Sequence, residues 1–215
     1  MKANFGLAFI LFLLFSCSDD NKDVETKIID GYKLTKNEIW SGEIQLRGDI
    51  EIPEGITLTI LAGTKIYIAT EGLVYDDGFE DRFVDIFVHG KLIINGTPGS
   101  IIEIKSDSAE PGNEDWWGIG VSSDGEIKME YCRISDSYYG VFIFSGDHSS
   151  SQFNNCLFSN VHSSIIDMGE NNLVFNHSSF IGDDYGYDLW GSDKTATIEY
   201  CEFENISMFD VELSN

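Results

Sequence analysis

The sequence predicts an all-β solenoid, a parallel β-helix of about seven coils with 22–24 residues in each. Three observations carry this expectation. Octapeptides recur in register at nearly constant spacing. Short apolar strands alternate with clusters of Gly, Asn, Asp and Ser. The N-terminal half repeats a strand–turn–strand phrase of its own.

The register is set by "MEYCRISD" (129–136), "FNNCLFSN" (153–160), "FNHSSFIG" (175–182) and "IEYCEFEN" (198–205), offset by 24, 22 and 23 residues. One column holds Met129, Phe153, Phe175 and Ile198; the next holds Cys132, Cys156, Ser178 and Cys201. Then come Ile134, Phe158, Phe180 and Phe203, and after them Asp136, Asn160, Gly182 and Asn205. A period of this length with several short strands makes each unit one turn of a coil, stacked at roughly 4.8 Å on the next. Like residues then stack on like. The cysteines suit an inward position where bulk would clash. Their side chains would run parallel, which is poor disulfide geometry, and the spacing shows no paired zinc-ligand motif. An antiparallel sandwich also has short strands, but has no reason to keep such a column.

Residues 28–47 carry Ile28, Ile29, Tyr32, Leu34, Ile39 and Trp40, expected to shield the open edge of the first coil. "GDIEIPEGITLTILAGTKIYI" (48–68) alternates apolar and polar residues around two turns, and "GKLIINGTPGSIIEIK" (90–105) repeats its later part. "WGIGV" (117–121), "GVFIF" (140–144), "SIIDM" (164–168) and "YDLW" (187–190) are strands, each followed by turn residues. "MFDVELSN" reads as a final strand. The phrases "IPEGITLTILAGTKI", "GKLIINGTPGSIIEI" and "WWGIGV" resemble the opening coils of right-handed parallel β-helix proteins of the pectate-lyase-like superfamily, over about residues 40–213. That resemblance implies the hand of the solenoid. It leaves the function open, because the superfamily hosts lyases, hydrolases, adhesins and catalytically silent scaffolds.

"MKANFGLAFILFLLFSC" has one early positive charge and an apolar run too short to span a bilayer, the layout of a secretory signal. Its last four residues resemble a bacterial lipobox, which implies acylation of Cys17 after removal of residues 1–16. Residues 17–27 read as a flexible, charged tether leading to a solenoid domain with an N-terminal cap at 28–215. "SDD" after Cys17 resembles the export signal of surface lipoproteins in Bacteroidota, so the expected address is the outer membrane, facing out. With 13 basic and 37 acidic residues, the surface repels nucleic acid and anionic headgroups. Membrane affinity would come from acyl chains.

Two insertions interrupt the period, "TEGLVYDDGFEDRF" (70–83) and "SDSAEPGNEDW" (106–116). They fall at the same point of successive coils and are expected to stack on one side, where function often sits. Asp76, Asp77, Glu80 and Asp81 are candidate calcium ligands, since calcium takes six to eight oxygens. Tyr75, Phe79, Arg82 and Trp116 are candidate ligand contacts: aromatic platforms for a sugar, with carboxylates accepting its hydroxyls. The blander alternative is a pair of solvated acidic loops. Asp107-Ser108-Ala109 resembles the O-glycosylation motif of Bacteroidota, which would place a glycan on Ser108. Pectate-lyase-like enzymes use calcium-binding Asp residues and a basic residue. Arg82 is the only basic residue in these loops, and no matching motif surrounds it. The reading is therefore a lipid-anchored, non-catalytic binding or scaffold module, possibly for glycans. The alternative is a small calcium-dependent polysaccharide lyase or glycoside hydrolase.

Overall fold

A computed structural model describes residues 25–70, 83–146, 151–168, 172–181, 185–189, 195–205 and 208–210. Its strands form three wholly parallel sheets of eight, eight and seven strands. Sheet 1 runs from Lys27–Ile29 to Glu202–Glu204, sheet 2 from Tyr32–Lys33 to Met208–Asp210, and sheet 3 from Glu38–Trp40 to Thr195–Glu199. Neighbours in each sheet are three strands apart in sequence, so the chain visits each sheet once per turn. The result is seven full coils and two strands of an eighth.

The columns read from the sequence are files of paired residues. Sheet 1 stacks Ile44, Ile66, Ile104, Ile134, Phe158, Phe180 and Phe203. Sheet 3 stacks Trp40, Ile60, Ile94, Met129, Phe153, Phe175 and Ile198. Both files line the core. The cysteines stand at the sheet 3-to-sheet 1 bend as free thiols at Cys132, Cys156 and Cys201. Ser178 continues their file, its Oγ accepting the Cys156 backbone N–H at 3.2 Å.

Residues 27–40 depart from the expected shield. They wind as the first coil itself, pairing in parallel with the second. The period-2 alternation explains the difference. Ile29, Leu34 and Trp40 point inward and are buried, while Ile28 and Ile39 point outward and are 54% and 68% exposed. Trp40 heads its file and donates its indole N–H to Glu38 Oε2 at 3.1 Å. The same oxygen accepts the Tyr32 hydroxyl at 2.6 Å. Burial, and then this carboxylate, pushes the Tyr32 phenol up to about 12.

Candidate functional site

The insertions leave from one corner. The first joins Lys65–Ile68 of sheet 1 to Asp85–Val88 of sheet 2, and the second joins Ile102–Ser106 to Gly118–Val121, one coil further on. Tyr75, Asp76, Asp77, Phe79, Glu80, Asp81 and Arg82 lie outside the described residues, as does Cys17. The second insertion is tied down by its own polar groups. The Ser106 hydroxyl donates to Asp115 Oδ2 at 2.6 Å and accepts the Ser108 N–H at 3.0 Å. Asp107 accepts from Gln45 Nε2 at 3.0 Å, and Asn160 Nδ2 reaches Pro111 O at 3.4 Å. Ser108 is half-buried, and its hydroxyl accepts the Glu110 N–H at 3.2 Å. Among the described residues, no group of three or more His, Cys, Asp or Glu is placed to hold a metal ion.

Trp116 requires a correction. It is fully buried among the core residues, and its indole N–H donates to Ser135 O at 2.9 Å. With no exposed surface, it offers no platform to a ligand. The outward residue is its neighbour, Trp117. Gly118 makes the switch possible, because its φ of 125° interrupts strand alternation between the two indoles and the inward-facing Ile119.

Trp117 belongs to an aromatic array on the outer face of sheet 2. Its ring packs edge-on against Tyr139 at 5.1 Å and lies 5.8 Å from Phe142. Phe142 contacts Tyr139 at 5.0 Å and Phe144 at 4.7 Å, and Phe87 lies 5.6 Å from Phe144. Tyr138 meets Tyr139 edge-on at 4.6 Å and stacks on His162 of the next coil at 4.6 Å. Phe87, Trp117 and Ile166 form the buried floor, at 9%, 7% and 7% exposure. Tyr138, Tyr139, Phe142 and Phe144 are half-buried above it. Gly120 is required here: a Cβ on it would sit 2.8 Å from the Phe87 ring and 3.2 Å from Trp117. Burial, and then the neighbouring Tyr138, raises the Tyr139 phenol.

Beside the array, an open groove of about 320 Å³ includes His89, Lys91 and Glu126 in its lining. Burial alone would raise Glu126, but bonds from Lys91 at 2.6 Å and Lys128 at 3.0 Å hold it below the usual carboxylate range. Both lysines are thus engaged by one carboxylate. Sequence reasoning missed the outer array because "GVFIF" read only as a short apolar strand, with no face assigned to its rings. The available signal was an apolar residue at both alternating positions. One-sided strands elsewhere, such as Glu43–Leu46, place polar residues outward.

Three parallel sheets closed around one apolar interior, with an aromatic array on an outer face, define a β-helix protein. Residues 93–215 match the model of the family described as Right handed beta helix region, and the chain belongs to that family. No curated protein and no solved structure matches it. The family supplies a scaffold, so function has to be argued from the site.

Proposed function

We propose that this protein is a non-catalytic carbohydrate-binding β-helix, held at the outer surface of a cell by a lipid on Cys17. The observation that carries the reading is the array of half-buried rings on sheet 2. Tyr138 and Tyr139 present flat apolar area together with a polar tip, the combination that packs on a sugar ring while meeting its hydroxyls. A rigid ladder of strands holds the rings in place before any ligand arrives, which limits the ordering cost of binding. The leader and the acidic tether support the anchor.

The test is a glycan array probed with the full chain, in calcium and again in EDTA, beside Tyr139→Ala and Phe142→Ala. Retention of a glycan by the wild type and a loss of about five-fold or more in either variant is the expected result. An array with no hits in both buffers leaves a scaffold role. For the anchor, an acyl-chain label should be incorporated by the wild type and be absent from Cys17→Ala.

A further inference from the structure

The bend between sheets 3 and 1 carries a second surface. Tyr131, Asn155, His177 and Tyr200 occupy one position of four successive coils, immediately before Cys132, Cys156, Ser178 and Cys201. All four have left-handed backbones, with φ of 47°, 55°, 50° and 55°. This conformation suits glycine and asparagine and penalises bulky side chains. The opposite end of the same strands imposes the same requirement at Asp136, Asn160 and Asn205, with φ of 67°, 54° and 58°. There the chain uses only small polar residues. The backbone therefore does not demand rings at the first bend, yet three of its four coils carry one.

His177 and Tyr200 are exposed, and Tyr131 is half-buried. Tyr200 is 79% exposed, and it stacks on His177 with centroids 4.8 Å apart and planes 21° from parallel. The strip is rigidly based: Tyr131, Asn155 and His177 donate their N–H groups to Asn154, Asn176 and Glu199 carbonyls at 3.1, 2.8 and 3.0 Å. The Glu130, Asn154 and Glu199 side chains run alongside on the outward-facing edge of sheet 3. Arg133 is an exposed cation beside the strip, but Glu130, Glu199 and Glu202 are exposed around it and Lys194 is the only Lys or Arg later in the chain, so the neighbourhood disfavours a polyanion.

We infer that this strip is a second carbohydrate contact, built to take a neutral polysaccharide running along the solenoid axis. From Tyr131 to Tyr200 it spans about 14 Å, three steps of the strand spacing. Flat rings stack on sugar faces, and the neighbouring amide and carboxylates bind hydroxyls. The inference rests on the proposed carbohydrate-binding reading and extends it to a face separate from the sheet 2 array.

The experiment is affinity electrophoresis of the full chain in gels containing laminarin, xyloglucan, galactomannan or amylopectin, with polygalacturonate as the anionic control. The variants are His177→Asn, Tyr200→Asn and the two combined, with Tyr200→Phe as the conservative partner and Tyr139→Ala to report on sheet 2. The combined variant is expected to lose about five- to ten-fold in affinity for a neutral polysaccharide that retards the wild type. Relief of the backbone strain should raise its melting temperature by about 2–4 °C. Tyr200→Phe should keep most of the binding. Wild-type affinity in the combined variant, or stronger retardation by polygalacturonate than by any neutral polymer, overturns the inference. If only Tyr139→Ala retains wild-type binding, the sheet 2 assignment fails and the strip stands. A wild type retarded by none of the polymers overturns both.

Discussion

The two halves of the solenoid fill the same cross-section differently. In the second to fourth coils the sheet 1 file is Ile44, Ile66 and Ile104, with Ile102 beside it. From the sixth coil the same file is Phe158, Phe180 and Phe203, whose rings stack at 5.4 and 4.7 Å within 8° of parallel. Phe153 and Phe175 do likewise in sheet 3, at 4.9 Å. In the coils that carry these rings the adjoining bend holds Cys156 and Ser178, where the fourth coil holds Ile102 and the fifth, still aliphatic, Cys132. Room is also made across the core. A Cβ on Gly140 would lie 2.6 Å from the Phe158 ring. The strand ladder sets a constant perimeter, and neighbouring files trade volume within it, as close packing requires.

The largest break in this pattern should come from Phe158→Ala. It removes a fully buried ring stacked on Phe180 and should cost about 3–5 kcal/mol in urea unfolding. The equivalent trimming in the aliphatic half, Ile66→Ala, should cost somewhat less, about 2–4 kcal/mol, because it removes fewer carbons. Gly140→Ala comes next, at about 3 kcal/mol, because its methyl also meets Ser164 O at 2.3 Å, and backbone cannot swing aside as a side chain can. Ile104→Phe imports a ring into the half that lacks room and should cost about 1–2 kcal/mol. Adding Ile102→Cys should recover part of that loss. Strictly additive costs in that pair would show that the files do not exchange volume.

The smallest effect concerns pH. Burial pushes the Cys156 thiol up to about 12, and burial followed by the adjacent Cys156 raises Cys132 well above its ordinary value. A thiol in the unfolded chain ionises near 8.5. The stability tied to these protonated thiols is therefore complete below about pH 8.5 and is lost as pH climbs toward the folded values. The urea midpoint should hold steady from pH 6 to 8 and fall above about 9, more gently in Cys156→Ala. A thiol-reactive dye should reach Cys201, which is only half-buried, before Cys132 or Cys156.

Much of this architecture was legible because stacking makes spacing visible. A residue that must sit on its counterpart one turn away repeats at the length of the turn, as Cys132, Cys156 and Cys201 do. The shared corner of the two insertions followed from the same arithmetic. What stayed hidden was side-chain direction at irregular points. Trp116 and Trp117 are adjacent and chemically identical, and only the backbone angle at Gly118 decides which of them enters the core and which lies under the outer array. The outward rings of Phe87 and Phe142 were hidden for a related reason: a strand apolar on both faces looks the same whether its second face is covered or open. The first coil was mistaken for a shield because one-turn segments have no earlier counterpart with which to align.

The sulfur atoms of Cys132, Cys156 and Cys201 are unpaired, and the first two lie among hydrocarbon neighbours. Assembly of the cylinder consequently makes no use of oxidising equivalents at these three positions. The same native form is open to the chain in a reducing cytosol or an oxidising envelope, with no oxidoreductase needed to mature them.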